Sequence, residues 1–299
     1  MVGRDKSERH VGGLSTLERM ADDDDLDVLR AAALLDLDGH DRWHVIGEFH
    51  LRTDRSAFEA ARELARAGDV RERVIALDVL GRLGSDAGRP FSEEILPVVM
   101  EACADGRSRV VASAVAALSH LADPRSLPAV LAQAGHHDED VRQAVAFTLP
   151  SVAGEPACPE AVAALVRLSR DRSDFVRDWA TFGLGLESTG DCEQIRGALL
   201  ERVGDAHADT AGEAFLGLAR RGDRRMLAAL GAALEARDPA DILIEAAFES
   251  AAPELLPALR RLKQRETPGD DARTWTLDEA ITACSTPAPR SADPDPEPR

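Results

Sequence analysis

The sequence predicts an all-α protein built as a solenoid of stacked helix pairs, and three observations carry that reading. Of the 299 residues 44% are hydrophobic, yet Phe numbers 8, Trp 3 and Tyr none, while Ala and Leu abound. A core made of such side chains favours helices. A ten-residue frame recurs: VRDWATFGLG (176 to 185) restates VRQAVAFTLP (141 to 150) thirty-five positions downstream. A second apolar-periodic run separates each copy of the frame from the next.

Counting Val176 as position 1, the frame also fits ERVIALDVLG (72 to 81), VVASAVAALS (110 to 119), TAGEAFLGLA (210 to 219) and, more loosely, ILIEAAFESA (242 to 251). Position 5 is then Ala76, Ala114, Val145, Ala180, Ala214 and Ala246, with gaps of 38, 31, 35, 34 and 32. A drifting period in that range is the mark of a helical solenoid.

Taken in chain order, residues 1–12 are expected to be disordered, followed by an N-terminal cap over about 13–55. Within it ADDDDLDVLRAAALL (21 to 35) reads as an acidic capping helix. DRWHVIGEFHL (41 to 51) and SAFEAARELARAG (56 to 68) read as a degenerate repeat. Repeats run from about 56 to about 265, with partner helices at 91–104, 125–135, 159–170, 192–203, 224–236 and 253–265. Turns such as AGDV, HHDEDV, DRSDFV, GDAHADT and RDPADI supply capping acceptors to the frame helices. Pro97, Pro128, Pro156, Pro159, Pro253 and Pro257 are assigned to positions at or near the first turn of the partner helices, where a missing N–H costs least or a slight kink is tolerated. Gly81, Gly185 and Gly222 are read as closing helices. A C-terminal cap is placed at 271–283, and the acidic, proline-rich 284–299 is expected to be a disordered tail.

The D-x-x-V-R or D-V-R entry followed by A and L-G, at Asp138 to Leu149, Asp174 to Gly185 and more loosely Asp69 to Gly81, resembles the HEAT repeat. It is most similar to the bacterial HEAT-like repeats grouped with phycobiliprotein lyases. The resemblance extends over roughly residues 40 to 265 and implies a right-handed α–α superhelix of about six to seven helix pairs, of the armadillo type. Val111, Ala211 and Leu243 stand where that family often has Arg, so an Asp-to-Arg ladder between repeats is expected to be interrupted there.

Charge narrows the partners. With 54 acidic against 36 basic residues the formal charge is -18, which argues against nucleic acid. No stretch approaches the length needed to span a bilayer and no signal peptide is evident, so a cytoplasmic, monomeric bacterial protein is expected. Cys103, Cys158, Cys192 and Cys284 are too scattered for a zinc or redox motif and are read as reduced structural thiols.

For chemistry, His40, His44 and Glu48 form a weak metal candidate, since His44 and Glu48 share a helix face. His136 and His137, followed by Asp138 to Asp140, are a second, and solvating and capping a turn accounts for both the pair and the acids. Phosphate-binding and nucleophile-elbow motifs are absent. Among enzymes of HEAT-like families, deoxyhypusine hydroxylases use His-Glu dipeptides, of which this sequence has none. HEAT-like DNA glycosylases need a basic face, for which only Arg170, Arg172 and Arg177 are available. A lyase must cradle a tetrapyrrole, which repeats alone do not establish.

The expected function is therefore a non-enzymatic scaffold or adaptor, without a cofactor, that holds a basic or amphipathic partner segment on the concave face of the solenoid, which the frame helices are expected to line. An immunity or inhibitor protein is a special case of it. The competing classes are a cofactor- or metal-handling enzyme and a glycosylase-like protein. The expected site is Trp179 as anchor with Phe182 and Phe248 beside it, rimmed by Asp178, Glu213 and Glu245. Trp179 stands out because its equivalents Ile75, Ser113, Ala144, Glu213 and Glu245 show no common packing demand.

Overall fold

The computed structural model describes residues 24–34, 40–155, 157–188, 190–265 and 271–286. The expected disordered ends, apart from residues 284–286, and Pro156 lie outside them. Sixteen α-helices and no strand are found among the described residues. The chain divides into two compact units, residues 1–154 and 155–299.

The first unit opens with α1 (Asp25–Ala33), α2 (His40–Glu48), α3 (Arg55–Ala67) and α4 (Val70–Arg82). It continues with α5 (Ser92–Ala102), α6 (Ser108–Leu121), α7 (Leu127–Ala132) and α8 (Glu139–Val152). Frame helices α4, α6 and α8 pack successively on one another, and α3, α5 and α7 each pack on the frame helix that follows. Residues 56–68 are therefore not half of a degenerate repeat with α2. They form the first helix of the pair α3–α4, while α1 packs against both members of that pair.

The second unit holds α9 (Pro159–Leu168), α10 (Asp174–Phe182), α11 (Glu193–Arg202) and α12 (Ala208–Arg220), then α13 (Leu227–Leu234), α14 (Asp241–Ser250), α15 (Leu256–Arg265) and α16 (Asp271–Ser285). Here α10, α12, α14 and α16 are the successive frame-side helices. The segment expected to cap the stack, α16, packs on α14 and α15 and so completes a fourth pair. With three pairs in the first unit, the described chain has seven.

Packing explains the frame. All six position-5 side chains, and the position-9 leucines Leu80, Leu118, Leu149, Leu184 and Leu218, are fully buried. Two of the three closing glycines have another purpose. Gly81 lies inside α4, where an added Cβ would sit 2.9 Å from the Ala117 Cα of α6. Gly185 faces Gly217 of α12, and a Cβ on Gly217 would come within 2.6 Å of the Gly185 Cα. Both contacts join position 10 of one frame helix to position 8 of the next, where only small residues let the backbones approach. Gly222, at φ +63°, does close α12.

Prolines and caps show similar corrections. Pro97 lies in the interior of α5 rather than its first turn, and Pro159 begins α9 as expected. Asp69 forms a full capping box with Glu72, and Asp138 caps α8. In the turns before α6, α10 and α12 the aspartate acts two residues earlier. Asp105, Asp171 and Asp205 accept from the amides of Arg107, Ser173 and His207 at 2.8, 2.9 and 3.0 Å. Arg73 pairs with Asp105 and Arg177 with Asp205, two rungs of the interrupted ladder, from position 2 of one repeat to the turn of the next.

Candidate functional site

The site is built on the frame helices of the second unit. The D-x-S turn at Asp171 starts α10, and the chain ends that helix in a π-helical segment, Gly183–Glu187. A widened turn of this kind leaves main-chain carbonyls without their usual amides, and such segments recur at functional positions. Arg221, just past α12, satisfies them. Its guanidinium donates to the carbonyls of Leu184, Gly185, Ser188, Gly190 and Gly217 at 2.7 to 3.2 Å. Burial lowers the pKa of this arginine. The end of α10 is thereby fixed to α12.

On that platform Trp179 is half-buried and meets the Phe182 ring edge-on, with centroids 5.8 Å apart and planes at 81°. The aromatic positions are not equivalent along the stack: Leu216 is buried, Phe147 and Phe182 are half-buried, and Phe248 is 41% exposed. Position 7 is thus a buried ladder only in part.

The expected acidic rim separates into distinct environments. Asp178 accepts from the Thr210 hydroxyl at 3.0 Å and lies 3.3 Å from His207 Nδ1, so it braces α10 to α12. Glu245 is exposed and meets Arg220 at 3.4 Å. Glu213, which holds in α12 the position Trp179 holds in α10, has a buried Oε2 without a hydrogen-bond partner. Loss of water, followed by the Asp178 and Asp209 carboxylates, pushes it up to about 8.

The folded protein therefore holds the Glu213 proton more tightly than the unfolded chain does. Stability falls as pH rises from the ordinary 4.5 toward about 8 and levels off above that. Glu213→Gln is expected to flatten this slope. Because the side chain keeps some solvent contact, the gain at pH 9 should be about 1–2 kcal/mol, with no gain at pH 5. Thermal unfolding of both proteins at the two pH values checks it.

The remaining sequence candidates are not brought to this site. His44 and Glu48 stand 3.8 Å apart on α2 of the first unit, and the His40 side chain lies outside the described residues. Among the described residues no group of three or more His, Cys, Asp or Glu side chains is placed to hold a metal ion. His136 Nδ1 accepts from the Asp138 amide at 3.1 Å, which commits that ring to its turn. Arg170 is bound to Glu201, and Arg177 to Asp174 and Asp205. Two of the three arginines considered for a basic face are therefore neutralised. Cys103 is buried, which pushes its thiol up to about 12, and the buried Cys284 donates to the Ala247 carbonyl at 3.4 Å. None of the four cysteines is in a disulfide.

Two features escaped the sequence reading. A second ladder runs through the turns before the partner helices: Arg125 bridges Asp123 and Glu93, and Arg225 bridges Asp223 and Glu193. The D-x-R spacing at 123–125 and 223–225, with a Glu about thirty residues upstream, is the signal that encodes it. The second is Trp275 on α16, 63% exposed, which the reading of that helix as a simple cap passed over.

Comparison with known proteins agrees with this architecture. The family model for HEAT repeats matches residues 58–150 and 96–185. Protein YibA of Escherichia coli K12 is 32% identical over 120 residues, which cover 40% of this chain and 41% of YibA. That match thus spans about two fifths of the relative's length. The X-ray structure of E. coli YibA superposes with a TM-score of 0.69 at 23% identity, over 94% of this chain and 99% of that one. Kap95, in a complex with Nup1, gives a TM-score of 0.66 at 13% identity over 95% of this chain and 41% of its own. Importin beta gives 0.58 at 11% identity, over 94% and 44%. At these identities the structural likenesses establish the fold. No described helix is long and apolar enough to cross a membrane.

Proposed function

We propose that this HEAT-repeat protein is a non-enzymatic scaffold that holds a segment of another protein against the frame helices of its second unit. The observation that carries the reading is the Trp179–Phe182 pair, a half-buried aromatic step fixed at the end of α10 by Arg221. Aromatic anchors on rigid elements dominate protein recognition, because a large apolar area is presented at small entropic cost. Glu245 lies exposed on α14, and the formal charge of -18 favours a basic or mixed amphipathic segment and speeds its encounter. That Kap95, similar in fold, is found in a complex with Nup1 is consistent with such a use of this fold.

The test compares wild type with Trp179→Ala as bait in lysate of the source organism, with retained proteins identified by mass spectrometry. A specific partner is expected on the wild type and at least roughly tenfold depleted on the variant. The variant's helical content and unfolding midpoint should stay near wild type, since the indole is only half-buried. A partner retained equally by both proteins would remove Trp179 from the site. Protein-free bait carrying a small molecule or metal would favour the cofactor-handling alternative.

A further inference from the structure

A second aromatic pair lies on the same layer of the second unit. Phe248 on α14 and Trp275 on α16 are 41% and 63% exposed, and they line an open groove of about 340 Å³ together with Asp278, Glu279, Thr282 and Ala283. Beneath it the helices are closely packed: Leu277, Ala280, Cys284 and Ala247 are buried, and the Cys284 thiol reaches the Ala247 carbonyl. The groove lies over a closely packed seam. Two large rings left in water on adjacent helices are an exposed apolar patch of the kind that marks an interaction surface.

The surroundings select the occupant. The lining contributes two carboxylates and no cation, and Lys263 on α15 is bound to Asp278. An acidic rim repels nucleic acid and anionic lipid surfaces. A second copy of this chain would bring the same formal charge of -18. The groove is too open to bury most of a small ligand, as metabolite sites do. We propose that the Phe248–Trp275 groove docks an amphipathic helix of a partner protein, its apolar stripe on the two rings and a flanking arginine or lysine side chain on Glu279, the lining carboxylate that Lys263 does not hold.

The inference rests on the scaffold reading above and assigns it a second seat, away from Trp179. It is tested with the full chain and two synthetic, labelled eighteen-residue amphipathic helices. They share one leucine stripe, and one carries arginine and the other glutamate on the flanks. In a binding titration at physiological ionic strength the arginine peptide should bind, and the glutamate peptide should not. Trp275→Ala should weaken the arginine peptide by roughly tenfold and Glu279→Gln by about threefold, whereas Trp179→Ala should leave it within about twofold. Phe248→Ala is a second probe of the groove should Trp275→Ala disturb α16. Equal binding of the two peptides, no binding of either, or full retention by Trp275→Ala and Phe248→Ala would overturn the proposal. Loss in Trp179→Ala alone would also overturn it, yet leave the scaffold reading standing.

Discussion

Arg221→Ala is expected to lower the stability of the second unit by about 3 kcal/mol. Five carbonyl oxygens, from Leu184, Gly185, Ser188, Gly190 and Gly217, converge on this one guanidinium. Without it, those that water cannot reach bear an unrepaid desolvation cost. Lysine at this position has one ammonium centre in place of a planar fork, so Arg221→Lys should recover only part of the loss. The neighbouring Arg220 is the internal control. It makes one long, exposed contact to Glu245, and Arg220→Ala should cost no more than about 0.5 kcal/mol. Urea unfolding followed by circular dichroism separates the two outcomes. Near-equal effects of the two substitutions would mean that the π-helical end of α10 does not depend on Arg221.

Gly217→Val should cost a similar amount, about 3 kcal/mol, through a different mechanism. The first added carbon would lie 2.6 Å from the Gly185 Cα, so a helix backbone rather than a flexible side chain must yield. Because Gly185 belongs to the segment held by Arg221, the substitution should also shift the Trp179–Phe182 step and weaken partner capture. Gly197→Ala on α11 is the contrasting case. Nothing lies within 4 Å of its added Cβ, and better helix propensity should raise stability by about 0.5–1 kcal/mol. Opposite signs for these two glycine substitutions, read as shifts of the urea midpoint, would locate the close α10–α12 approach.

How much of this was legible in the sequence follows from which physical demands repeat. Positions 5 and 9 of the frame are buried in almost every copy, so the same small and aliphatic residues recur and the helix pairs can be read directly. The ladder was legible in part: Val111, Ala211 and Leu243 break the arginine series that Arg73, Arg142 and Arg177 keep, and Arg73 and Arg177 reach the aspartates of the next turn. Gly81 and Gly185 do stand in the last turns of their helices, but as points of close approach and not as positive-φ caps, and along the chain a glycine near a turn looks alike in either role. Only the neighbouring helix distinguishes the two.

The candidate site was less legible, for the reason that it departs from the repeat. Trp179 could be singled out because its equivalents differ so widely. Nothing along the chain, however, marks Arg221 as the group that holds the helix beneath it. Its acceptors lie 4 to 37 positions upstream and are all main-chain carbonyls, which carry no sequence signature. Similarly, Glu213 and Glu245 read alike as rim acids, and only burial separates a carboxyl pushed up to about 8 from one that meets an arginine in water.

The most direct test of the scaffold reading is site-specific photo-crosslinking in cells of the source organism. A benzophenone amino acid replaces Phe182, beside Trp179, in one protein and the exposed Glu160 of α9 in another. The reading predicts a discrete protein adduct from position 182 that is lost when Trp179→Ala is added, and none of the same mass from position 160. An identical adduct from both positions, or none from position 182 in cells where the protein is folded and abundant, would contradict it.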